Sequence, residues 1–242
     1  STLFPYTTLF RSPYSPATRA CAVVDPVLDD SAADELISWV SEGGLKVSWI
    51  LDTHIHADHL SAGALVRERL GGRTAIGAGL RKLYAHLNGQ GTPYDVTLDD
   101  GAELRVGEVC GRVMHTPGHT PSCASYLLGH AAFVGDALLM PDVGTGRCDF
   151  PGGSASELYR SAQRLFTLPA STRVFVGHDY GCNGSRAPAC ETTIAQQRAE
   201  NTHLGGGRSL EEFVAMREAR DATLPPPAMM SRAVKFNLPP AA

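Results

Sequence analysis

The 242-residue sequence carries six cysteines, Cys21, Cys110, Cys123, Cys148, Cys182 and Cys190, but no Cys-x-x-Cys pair. That absence argues against a cysteine zinc knuckle, and the irregular spacing argues against a disulfide framework. No apolar run approaches the roughly 18 residues that a membrane span needs, so no membrane partner is expected. Nor is there an excess of basic charge: 21 Lys and Arg stand against 25 Asp and Glu, a formal net charge of -4. Without a basic footprint, nucleic acid is not an expected partner. No internal repeat and no low-complexity linker divides the chain. What remains, 43% hydrophobic and 19% charged, suits one sizeable globular domain in a reduced, cytoplasmic setting.

Residues 2 to 12, Thr-Leu-Phe-Pro-Tyr-Thr-Thr-Leu-Phe-Arg-Ser, read like the in-frame translation of a sequencing adapter. They lack the basic and unbroken apolar regions of a signal peptide. The expected organisation is a non-native leader over 1–12 and one domain over 13–242 with a helical C-terminal extension. On that reading the native N-terminal strands are missing.

From Arg19 the pattern becomes protein-like. Ala20 to Val24 reads as a buried strand stopped by Asp25-Pro26. A helix follows with Ser31 as N-cap and Ala33, Leu36, Ile37 and Val40 on one apolar stripe, ended by Gly43-Gly44. Val47 to Leu51 is a second strand, Ser61 to Leu70 a helix, Thr74 to Ile76 a short strand and Leu80 to Leu87 a helix. Short strands then follow to Val134, with Asp100-Gly101 and Gly129-His130 as hairpin turns. Ser154 with Glu157, and Ser209 with Glu212, form capping boxes for later helices, and Thr192 to His203 reads as helical. The tail beyond Pro225–Pro227 carries no legible signal.

Between the second strand and its helix lies Thr53-His54-Ile55-His56-Ala57-Asp58-His59. In an extended run the period of two turns both His54 and His56 toward one point, with Asp58 and His59 just beyond. Histidines and carboxylates in this density point to zinc or non-haem iron. Three further strand ends carry metal-competent side chains: His119 after the Pro117-Gly118 turn, Asp136 and His178. Loops at one edge of a layered sheet can gather such residues from distant parts of a chain.

The motifs THIHADH, HTPGHT, GDAL and GHDY, in this order, resemble those of the metallo-β-lactamase superfamily. The resemblance implies an α+β fold, an αββα four-layer sandwich with a metal site at one edge. The loop Gly146-Arg147-Cys148-Asp149-Phe150 is similar to a signature of persulfide dioxygenases. MPDVGTGRCDFPGG, ETTIAQQRAEN and EEFVAMREARDATLP look like a β-lactamase-hydrolase-like bacterial subgroup linked to sulfide detoxification. That resemblance implies one Fe(2+) per chain held by His54, His119 and Asp136, with His56 a further candidate ligand. Asp58, His59 and His178 would then act on bound ligands and waters. It implies a small-molecule thiol or persulfide substrate with O2, and leaves room for a homodimer.

The alternative is a two-Zn(2+) thioester hydrolase of the glyoxalase II type, in which Asp58, His59 and His178 hold the second metal. A β-lactam hydrolase has nothing beyond the fold in its favour. Arg147 is expected either to bind a substrate carboxylate or to form a loop salt bridge with Asp149. Tyr180 matches a glutathione-contacting tyrosine or is simply a packed ring. Cys148 is either a redox-sensitive thiol or a small buried side chain. His115 is expected to be structural, and His203 a surface or capping residue.

Overall fold

The computed structural model describes residues 14–29, 31–87, 92–179 and 181–238, with only the backbone of 85–87 and 182–183. The adapter-like leader and Tyr180 therefore lie outside the described residues. In chain order the elements are β1 (Ala20–Val24), α1 (Ala32–Glu42), β2 (Lys46–Asp52), α2 (Gly63–Leu70), β3 (Arg73–Gly77), α3 (Leu80–Leu87), β4 (Val96–Leu98) and β5 (Glu103–Val106). Then come β6 (Val109–His115), β7 (Ala124–Leu128), β8 (Ala131–Gly135), α4 (Ala155–Leu165), β9 (Arg173–Val176) and α5 (Gly181–Gly184). The chain closes with β10 (Glu191–Thr193), α6 (Ile194–Glu200), α7 (Leu210–Asp221) and α8 (Met230–Asn237).

β1 to β4 form a parallel sheet in sequential order, and β10-β9-β8-β7-β6-β5 form a mixed, mostly antiparallel one. Parallel neighbours need crossovers, which α1, α2 and α3 supply on one face. Between the sheets, Val24, Leu51, Ala75 and Leu98 meet Leu104, Val113, Tyr126 and Phe133. α1 and α2 cover the outer face of the first sheet through Leu36, Val40 and Val66, with Leu36 wholly buried. Burying such a side chain contributes about 2 kcal/mol. α4 and α7 cover the second sheet through Leu158, Leu165 and Phe213. The αββα sandwich is thus observed, with an apolar layer at each of its three interfaces.

Local expectations differ from the structure in four places, one being Ser154, whose side chain accepts Glu157 N at 3.3 Å without the reciprocal bond of a capping box. Ser31 makes no side-chain cap; Asp29 Oδ1 accepts the Ser31 and Ala32 amides instead, at 3.1 and 2.6 Å. Asp100-Gly101 is no hairpin turn, because β4 and β5 belong to different sheets and the segment crosses between them. The stretch from Thr192 begins as a strand: Glu191–Thr193 pairs with β9, and Thr193 with Gln196 forms the capping box that starts α6. Gly129-His130 does connect the antiparallel pair β7 and β8, and Ser209 with Glu212 does form a reciprocal box.

Candidate metal centre

Because Val24 pairs in parallel with Leu51, β1 and β2 end side by side, releasing Asp25 and Thr53 at one edge. Asp25 takes a φ of 48°, left-handed backbone that Asp adopts more readily than most residues. Its carboxylate turns back to accept Thr53 N at 2.7 Å and Thr53 Oγ1 at 2.9 Å. Thr53 Oγ1 also lies 3.0 Å from His54 Nδ1. Having given its proton to Asp25, that hydroxyl accepts from His54, which places the imidazole proton on Nδ1 and leaves the Nε2 lone pair free to ligate.

His119 is set by the same logic from another loop. Its Nδ1 lies 2.6 Å from the carbonyl of Arg147, which only accepts, so Nε2 is again the ligand atom. That atom sits 3.6 Å from Asp136 Oδ2, at the end of β8. His54, His119 and Asp136 bring one ligand atom each within 4.8 Å of one another. Gly177 lies against them, and a Cβ there would run into Asp136 Oδ1 and force the carboxylate to turn. This oxygen is buried without a hydrogen-bond partner, as are His56 Nδ1 and His59 Nε2. Orphaned polar atoms converging on one edge are a donor set that a metal ion would satisfy.

The neighbouring groups form a second tier. His56 Nε2 lies 3.1 Å from Asp25 Oδ1, and Asp58 Oδ2 lies 3.2 Å from both His59 Nδ1 and His178 Nε2. His178 Nε2 is also 3.7 Å from Asp136 Oδ1. Burial, followed by the charges of His56 and His119, holds His54 well below the usual imidazole range, so it is neutral and ligand-competent. Burial pulls His56 down as well, but the Asp25 and Asp52 carboxylates outweigh it and lift it to about 9. For Asp58 burial acts upward; the His59 hydrogen bond and the His178 charge overcome it, and the carboxyl falls far below its ordinary range. Asp52 is pushed up to about 6, mainly by burial.

A cavity of about 360 Å³ opens on His119, Asp136 and His178, with Phe150 and Arg220 on its walls. Phe150 stands edge-on to His119 at 4.9 Å between ring centroids. Arg147 also lines this cavity, and of its two expected roles the salt bridge is formed: Nε and Nη2 each lie 2.6 Å from an Asp149 oxygen. Its Nη1 donates to Pro225 O at 2.8 Å. Cys148 is buried, and burial pushes its thiol well above the ordinary range, so it is a packed side chain and not a reactive one. His115 Nε2 meets Leu98 O at 2.8 Å, a structural contact.

A family model for the metallo-beta-lactamase superfamily matches residues 5–178. A probable metallo-hydrolase of Burkholderia pseudomallei is 43% identical over 250 residues, covering 90% of this chain and 84% of the relative. The chain belongs to the metallo-beta-lactamase superfamily. Within the superfamily, the human mitochondrial persulfide dioxygenase ETHE1 is 33% identical over 224 residues, 91% of this chain and 79% of that protein. The crystal structure of ETHE1 from Myxococcus xanthus superposes with a TM-score of 0.81 at 36% identity, covering 96% of this chain and 97% of that one. The chain is therefore related to the ETHE1-like persulfide dioxygenases. It spans only 55–56% of the length of the beta-lactamase hydrolase-like proteins it also matches.

As a member of the metallo-beta-lactamase superfamily, the protein gathers the expected histidines and Asp136 at one edge, whereas Tyr180 lies outside the described residues. Sequence reasoning missed Asp25, Asp52, Arg217, Asp221 and Asn237. Asp25 was legible by the logic applied to Asp136, a carboxylate at a strand end, but Asp-Pro reads first as a strand stop. Arg217 and Asp221 form a buried pair on α7 (2.5 Å) that grips the cavity loop: Arg217 Nη1 donates to Thr145 O at 3.3 Å, and Asp221 Oδ2 accepts Cys148 N at 2.8 Å. His203 is buried, not superficial, and its Nδ1 accepts Thr145 N at 3.0 Å.

Proposed function

We propose that the chain is an iron-dependent persulfide dioxygenase that oxidises glutathione persulfide, or a similar low-molecular-weight persulfide, to sulfite and the free thiol. The observation that carries this reading is the compact His54–His119–Asp136 cluster opening on the Phe150 cavity, in a chain related to persulfide dioxygenases. His54, His119 and Asp136 would hold the iron through two imidazoles and one carboxylate, and the bound metal would supply the redox chemistry. The protein's own residues position and enclose. Thr53 and the Arg147 carbonyl fix the tautomers of His54 and His119. Leu139, Val143, Phe150 and Leu224 line the cavity and limit water around the substrate sulfur. Arg220 is exposed on the same wall and suits the carboxylates of a tripeptide thiol. Asp149 holds Arg147, so that guanidinium shapes the wall under Phe150, 5.6 Å from its ring centroid. Tyr180 contacts the thiol substrate in this reading.

The second reading, a two-zinc thioester hydrolase, is favoured by one observation. His56, Asp58 and His59 form a neighbouring cluster in which His56 Nδ1 and His59 Nε2 lack partners. Replacing His178 with alanine separates the two. The dioxygenase reading expects unchanged metal per chain with lowered activity; loss of half the bound metal supports two sites. We further propose that residues 13–242 act as one domain, because α7 holds the cavity loop at Thr145 and Cys148, and that this domain works in the cytoplasm. Among the described residues no helix is long and apolar enough to cross a membrane.

A further inference from the structure

One side chain from the far end of the chain grips the histidine loop. Asn237, the last residue of α8, is buried at 5% exposure. Its Nδ2 donates to the carbonyls of His56 at 2.8 Å and His59 at 2.9 Å, while its Oδ1 accepts Ser61 N at 2.8 Å. All of these bonds fall on one loop, 176 to 181 residues earlier in sequence. A carboxamide has both donors and an acceptor, so Asn matches this set where Asp would lose the donors and Leu everything. The next residue, Leu238, packs with Ile55, Ile76, Leu80 and Tyr84, which anchors the end of α8 against the same loop.

The two carbonyls belong to residues whose rings approach within 4.1 Å between centroids, and one nitrogen of each ring, Nδ1 of His56 and Nε2 of His59, is buried without a hydrogen-bond partner. Fixing both peptide planes fixes where those imidazoles start. We propose that Asn237 is a positioning residue for the metal-binding loop, holding His56 and His59 in register beside His54. This rests on the reading of that loop as metal-binding, and adds that the C-terminal helix sets the fit of the site.

Cobalt(II) titration of the metal-free protein, followed by its visible absorption, tests the assignment. Asn237→Asp keeps the volume and the acceptor for Ser61 but removes both donors. It is expected to bind cobalt(II) about 10- to 100-fold more weakly, with an altered spectrum. Phe236→Ala, on the same helix but 48% exposed, serves as the control and is expected to change neither. Should a buried carboxylate unfold the helix, Asn237→Ser provides the same comparison, with faster hydrogen exchange of the Ser61 amide as a second readout. Each variant is confirmed as folded by circular dichroism at the titration temperature. Folded Asn237 variants that bind cobalt(II) within twofold of the parent, with the same spectrum, overturn the proposal alone. A parent that takes up no cobalt(II) overturns the metal reading as well.

Discussion

Asp136 stands where three constraints meet: His119 Nε2 at 3.6 Å, His178 Nε2 at 3.7 Å, and Gly177 behind it. Gly177→Ala places a methyl group against Oδ1 and turns the carboxylate away from His54 and His119. The expected result is metal affinity about tenfold or more lower with the fold intact, measured by titration of the metal-free protein. Thr53→Val tests the tautomer argument separately. Without the hydroxyl, Asp25 loses a donor and His54 Nδ1 an acceptor, so iron retention through gel filtration is expected to fall while Thr53→Ser retains it. These residue-level relations were partly legible in the sequence. His54, His119 and Asp136 are each marked by a local motif at a strand end, whereas the Thr53–Asp25 relay depends on the parallel register of β1 with β2, which no local pattern encodes.

At the scale of elements, α7 controls the cavity loop from behind. Arg217 is 1% exposed and its charge is answered by Asp221, which also takes the Cys148 amide. Asp221→Ala leaves a buried guanidinium and an amide uncompensated, and is expected to cost about 3–5 kcal/mol in a urea melt. The same variant loosens Arg147, whose carbonyl orients His119, so metal content is expected to fall with stability. The helices and strands themselves were readable from apolar period and turn residues, from β1 through α4. The errors arose where tertiary pairing decided: Asp100-Gly101 crosses between sheets, and Glu191–Thr193 becomes a strand because β9 offers an edge. The tail was silent because Asn237 is an ordinary polar residue until folding sets it beside residues 181 positions away.

For the molecule as a whole, His203 ties α6 and the cavity loop to the pH response. Burial, followed by the positive charges of Arg217, Arg220 and Arg208, depresses its folded-state value to about 4. The neutral ring is the native form, since Nδ1 accepts Thr145 N. As pH falls below about 6.5 the unfolded chain takes up this proton first. The contribution of His203 to stability is therefore expected to be full above pH 6.5, to decline through about pH 4, and to change by on the order of 2 kcal/mol over that window. His203→Asn, which keeps an acceptor but no titrating ring, is expected to flatten that part of the profile of urea midpoint against pH.

A single experiment addresses both the iron site and its oxygen chemistry. Protein purified without oxygen is analysed for metal and then given glutathione persulfide in an oxygen electrode. Near one iron per chain with persulfide-dependent oxygen uptake and sulfite release is the expected result. Near two zinc ions per chain, no oxygen uptake and rapid cleavage of a glutathione thioester would contradict the account.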